Sequence, residues 1–149
     1  MKLTSFDQWN CSLAQTMNVI GERWTVLILR DAFFGVTRFE DFRKWLGIAR
    51  NILAARLKQL SDEGVLERVV GENGRPEYRL TDKGYELVPI LIAMAHWGDR
   101  HKPNPKGARA IFVDRKTGKR IQRMAVRSAE GEKLHPKDVG MRRGPGLSA

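Results

Sequence analysis

The sequence predicts a mainly α fold with a small β component, and three observations predict it. Apolar residues recur at helical spacing through residues 12–101. Gly47 stands between two such stretches where the chain must turn. Two short extended runs, residues 65–70 and 77–80, flank the turn Gly71-Glu72-Asn73-Gly74-Arg75-Pro76. At 149 residues with 42% apolar content, the chain suits one compact domain plus an extension.

The elements follow in order. Ser12-Leu13-Ala14-Gln15 reads as a capping box opening the first helix, in which Leu13, Met17 and Ile20 share a face before Gly21 breaks it. The second helix, residues 22–34, is apolar almost all round, which makes it either the central core element or one partly covered by another chain. Thr37-Arg38-Phe39-Glu40 is a second capping box: the Thr37 hydroxyl accepts an orphan N–H and Glu40 reaches back. Phe39, Phe42 and Leu46 then face inward, and Gly47 supplies the free backbone torsions of a tight turn.

In the fourth helix, residues 49–63, Leu53, Leu57 and Leu60 recur at i, i+4 and i+7 and pack inward. Arg50, Asn51, Ala54, Ala55 and Lys58 face out, and Gly64 ends the helix. Two strands follow, making a hairpin. Helix, tight turn, helix and hairpin in this order form a winged helix-turn-helix.

Thr81 caps a last helix running toward His101, and Pro89 inside it predicts a bend. A helix this apolar, outside the winged unit, suits a dimer seam built from Leu87, Leu91, Met94 and Trp97. A monomer would leave that surface against water.

Pro103-Asn104-Pro105-Lys106-Gly107 marks a boundary, dividing the chain into residues 1–102 and a basic extension, 103–149. In the extension, residues 110–113 and 121–126 read as two strands of a small β-hairpin, and residues 141–149, without periodicity, as a frayed end.

Charge is unevenly spread. Of the net +10, residues 1–102 hold fifteen bases against thirteen acids, and residues 103–149 twelve against four. Yet residues 37–60 carry six bases and two acids, which favours phosphate over a neutral protein surface. Arg50, Asn51 and Ala55 suit base edges in a major groove, with the small Ala54 and Ala55 admitting the backbone. Arg38 and Lys58 suit phosphates, and Arg75, at the wing tip, a minor groove. The partner these residues fit is double-stranded DNA. Against this stands a solvated helix face on a protein-interaction module, since fold alone does not fix function.

In the extension, Arg115, Lys116, Lys119, Arg120, Arg142 and Arg143 either add phosphate contacts or form a solvated surface. No segment reaches eighteen uncharged apolar residues and the start of the chain lacks an apolar signal core, so neither secretion nor membrane spanning is expected and the cytoplasm is. The single cysteine agrees with a reducing compartment.

Within residues 11–97, about three fifths of the chain, stand Val19-Ile20-Gly21-Glu22-Arg23-Trp24-Thr25-Val26-Leu27-Ile28-Leu29-Arg30, then Arg38-Phe39, Leu57-Lys58-Gln59-Leu60, Gly64-Val65-Leu66, Glu77-Tyr78-Arg79-Leu80-Thr81 and Trp97-Gly98. In these stretches the chain resembles the HxlR-type family of bacterial, MarR-like winged-helix transcriptional regulators. The resemblance implies a homodimer on a roughly palindromic operator, with the N-terminal helix, through Leu13 and Met17, and the post-wing helix building the interface. Cys11 resembles the N-terminal cysteine through which some members sense oxidants or electrophiles; the alternative is a small inert side chain, and any disulfide would have to cross the dimer or use an outside thiol. An oxidant or a small molecule is the expected effector.

Some HxlR-like proteins carry a C-terminal extension of zinc-ribbon type, and residues 126–132 fall where one cysteine pair would lie. Here there is none, and His135 with Asp114, Glu130 or Asp138 is a weak set, so a metal-free relic and no cofactor are expected. Catalysis is not expected: His96, Asp99 and His101 spread over a wide helical arc, and no nucleophile elbow, phosphate loop or dinucleotide fingerprint occurs.

Overall fold

The structure, a computed structural model, describes residues 5–147; the expectations for Met1, Lys2, Leu3 and Thr4 and for Ser148 and Ala149 lie outside the described residues. Packing divides the chain into two compact units, one running to Val88 and one from Pro89, so the last long helix groups with the residues that follow it.

In the first unit, helix α1 spans Ser12–Ile20 with Cys11 as its N-cap. The expected box does not form. The Cys11 position makes no side-chain cap, and Gln15 turns outward from the helix, its amide donating to the carbonyls of Trp9 at 2.8 Å and Phe6 at 3.1 Å. The preceding loop offers Gln15 these acceptors, and they win over the cap.

Helix α2, Arg23–Phe33, is capped by Glu22, whose carboxylate accepts from the N–H of Trp24 at 2.8 Å and of Thr25 at 3.2 Å. It touches α1, two further helices and the hairpin, and it buries Ile28 and Leu29 completely. It is thus the central core element of this unit.

Helix α3, Phe39–Leu46, starts later than expected, with Arg38 rather than Thr37 as N-cap and no side-chain cap. The hairpin is the reason. The Thr37 carbonyl accepts from Tyr78 N–H at 2.8 Å and Arg38 bridges to Glu77, which holds both residues extended beside the sheet. Phe42 is fully buried, and Gly47 takes φ +62°, a left-handed conformation that a side chain would resist.

Helix α4 covers Arg50–Asp62, with Ala49 and Glu63 as caps, and buries Leu53, Leu57 and Leu60 completely. Strands β1, Leu66–Val70, and β2, Pro76–Leu80, pair antiparallel from Leu66↔Leu80 to Val70↔Pro76. Their turn closes through Gly71 N–H to the Arg75 carbonyl at 2.8 Å.

The expected single helix after the wing is two. Thr81 caps α5, Asp82–Tyr85, by accepting from Gly84 N–H at 3.1 Å, and α6 begins anew at Val88–His101. Leu87 N–H returns to the Gly84 carbonyl at 3.1 Å, tightening the chain into a turn. Pro89 then falls in the first turn of α6, where its missing N–H has no intrahelical partner to lose, so the result is a break rather than a bend.

In the second unit, the segments expected as strands form only isolated bridges, Val113↔Arg120 and Arg127↔Lys133. Ile121 N–H donates back to Phe112 at 3.0 Å, whereas Leu134 N–H donates to Val126 at 2.9 Å. Residues 121–126 therefore divide between two small loops. Val113, Met124 and Val126 remain exposed, so no buried face favours a longer ladder.

Candidate nucleic-acid interface

The turn at Gly47 sets α4 against α3, and the buried leucine stripe fixes which face α4 shows to water. Arg50, Asn51, Ala54, Ala55 and Lys58 all lie on that exposed face. Ile52, also exposed there, was not singled out from the sequence; its apolar character gave no signal.

Arg50, the first helical residue of α4, is held from α3. Its guanidinium lies 5.0 Å from the centre of the Phe39 ring and pairs with the Glu40 carboxylate, which also accepts from Arg43 Nε at 2.8 Å. The Arg43 hydrogen bond, with the nearby Arg50 charge, holds the Glu40 carboxyl below its usual range. Glu40 was expected to cap α3; it serves instead as the bracket for Arg50. Its spacing from Arg43 fits an i,i+3 pair, but the partnership with Arg50 crosses the turn and leaves no periodic signal.

Lys58 pairs with Asp62 one turn on, at 2.5 Å, with both side chains mostly exposed. Arg38 remains half-exposed, 4.0 Å from Glu77, and Arg75 lies exposed in the wing turn. Arg56 differs from the others: it is turned inward, 3.7 Å from Glu22 and bonded to Gln59 at 2.8 Å. One of the six bases in residues 37–60 is therefore directed away from this face, and four more, Arg38, Arg43, Arg50 and Lys58, have carboxylate partners that a phosphate must displace or share.

Cys11 is exposed. Leu13, Met17, Met94 and Trp97 are exposed large apolar residues, while Leu87 and Leu91 are half-buried. The three helix residues considered for chemistry go separate ways. His96 Nδ1 accepts from Met124 N–H at 3.3 Å, Asp99 pairs with Arg109 at 3.1 Å, and the His101 ring lies 4.8 Å from Trp97. Among the described residues no group of three or more His, Cys, Asp or Glu side chains is placed to hold a metal ion.

Known proteins resemble the chain over most of its length. The profile of the family described as HxlR-like helix-turn-helix matches residues 19–106. An uncharacterized HTH-type transcriptional regulator of Mycobacterium tuberculosis is 36% identical over 140 residues, covering 93% of this chain and 89% of its own. The crystal structure of PA1607, a candidate transcription factor, is similar with a TM-score of 0.85 at 44% identity, over 95% of this chain and 100% of the other. The redox regulator HypR in its reduced form matches with a TM-score of 0.57 at 29% identity, over 62% of this chain and 94% of its own.

Proposed function

The chain belongs to the HxlR-like helix-turn-helix family, and from that premise we propose that it works as a homodimer on a palindromic operator, with α4 in the major groove and the wing turn at the minor groove. It is a transcriptional regulator with a helix-turn-helix DNA-binding domain, and its relatives are regulators rather than enzymes. The observation that carries the finer proposal is the split character of α4: one stripe wholly buried, and an opposite face offering Arg50, Asn51, two small alanines and Lys58.

In this proposal Arg50, Asn51 and Ala55 read bases, with Ala54 allowing close approach. Arg38 and Lys58 clamp phosphates and Arg75 reaches the minor groove. Leu13, Met17, Leu87, Leu91, Met94 and Trp97 supply the subunit seam, since exposed apolar side chains gain by being covered. No helix among the described residues is long and apolar enough to cross a membrane, and a chromosomal partner assigns the site of action to the cytoplasm.

Likeness to a protein named a redox regulator supports an oxidant as effector, with the exposed Cys11 as the reacting thiol. Operator binding left unaltered by peroxide, hypochlorite and quinone would remove that role. The whole proposal is tested by selecting bound fragments from a random duplex pool and footprinting them. A two-fold symmetric protected sequence is expected, from protein that elutes at the mass of two chains; failure to enrich any sequence would favour a protein-interaction module instead.

A further inference from the structure

We propose that the groove between α6 and the C-terminal loops binds a small, flat, apolar carboxylate, such as an aromatic acid. The groove is lined wholly by residues of the second unit. It is open to solvent along one side and has a volume of about 700 Å3, a size that suits a drug-like ligand. Its apolar lining comes from Trp97, Met124, Val126, Leu134 and Pro136, and the Trp97 and His101 rings, tilted 41° at 4.8 Å, form an aromatic wall.

The polar lining is of one sign. Arg100, Arg123, Lys133 and Lys137 border the groove and no acidic residue lines it. Among the described residues none of these four cations is joined to a carboxylate. Gathered beside an apolar surface they repel one another, and an anion relieves that repulsion, most effectively a carboxylate able to take two guanidinium hydrogen bonds. The lining thus offers cations around a mostly apolar floor. A phosphate backbone would use the cations but leave the floor wet, so the apolar acid is the better fit.

The test titrates the full-length protein with 2-naphthoate and with its neutral counterpart 2-naphthalenemethanol, following the Trp97 indole N–H by NMR, assigned through Trp97→Phe. Saturable shifts at Trp97 and at amides of residues 123–137 are expected. Affinity should fall at least tenfold for the alcohol, and at least tenfold for naphthoate in the exposed-rim double variant Arg123→Gln, Lys137→Gln. Equal binding of alcohol and acid, or no loss in the double variant, overturns the proposal. So does displacement of naphthoate by a random DNA duplex, which would make this a phosphate surface. Shifts that track protein concentration without ligand at amides of residues 123–137, rather than at Trp97, which the proposed subunit seam shares, would mean that a second copy fills the groove, and they overturn it too.

Discussion

Leu57 is fully buried on the inward stripe of α4, so Leu57→Ala removes core methyl groups and leaves a cavity. A loss of about 2–5 kcal/mol is expected in urea unfolding, with the slope unchanged. On the opposite face Arg50 and Lys58 carry like charge but separate roles. Arg50→Ala should cost about 1–3 kcal/mol on the selected operator and relax its sequence preference, whereas Lys58→Ala should weaken all duplexes alike. Equal losses on operator and random DNA for Arg50→Ala would refute base reading. The positions of these residues could be read in advance, because a 3.6-residue period with three leucines at i, i+4 and i+7 leaves one outward face. The Glu40 bracket on Arg50 could not, because ten residues and a turn separate the partners.

Among the elements, α5 approaches the base of the hairpin closely at Gly84. A Cβ added to Gly84 would lie 2.2 Å from the Val65 carbonyl oxygen and 2.9 Å from Leu80 Cδ2, so Gly84→Ala must push α5 from the base of the wing. Destabilisation of about 1–3 kcal/mol is expected. Gly98, within α6, has nothing within 4 Å of such a Cβ, and Gly98→Ala should be neutral or stabilise by up to about 1 kcal/mol. Thermal unfolding of the two variants checks the contrast. The same scale shows where local signals fail. Both capping boxes match the sequence pattern, yet Gln15 bonds to carbonyls of the preceding loop and Glu40 to Arg43 and Arg50. Thr81, whose hydroxyl accepts from Gly84 N–H while donating to the Gly64 carbonyl at 2.6 Å, meets no such competition and caps as expected.

Across the whole molecule, the charge excess sits mainly in residues 103–149. If that segment binds phosphates, replacing Arg115, Lys116, Lys119 and Arg120 by Gln should flatten the salt dependence of DNA binding. The log–log slope should then fall by up to about 0.9 for each phosphate no longer neutralised. An unchanged slope would assign these side chains to a solvated surface. The expected boundary at the 103–107 linker follows proline chemistry, while packing divides the chain at Val88 and Pro89. Prolines report where a helix must stop, but not which neighbours it packs against.

The sequence by itself determined the order of helices and hairpin, the inward leucine stripe of α4, the turn at Gly47 and the family. Each of these is written in near-neighbour spacing or in residues whose own backbone preferences decide the outcome. Tertiary structure alone decided that Thr37 and Arg38 lie extended beside β2, that Glu40 holds Arg50, that α5 and α6 are separate, and that residues 121–126 split between two loops. At Thr37, Arg38 and Glu40 the deciding partner is distant in sequence, whereas α5 and α6 part at the short-range bond from Leu87 N–H to the Gly84 carbonyl. Only the folded chain brings the distant partner within reach.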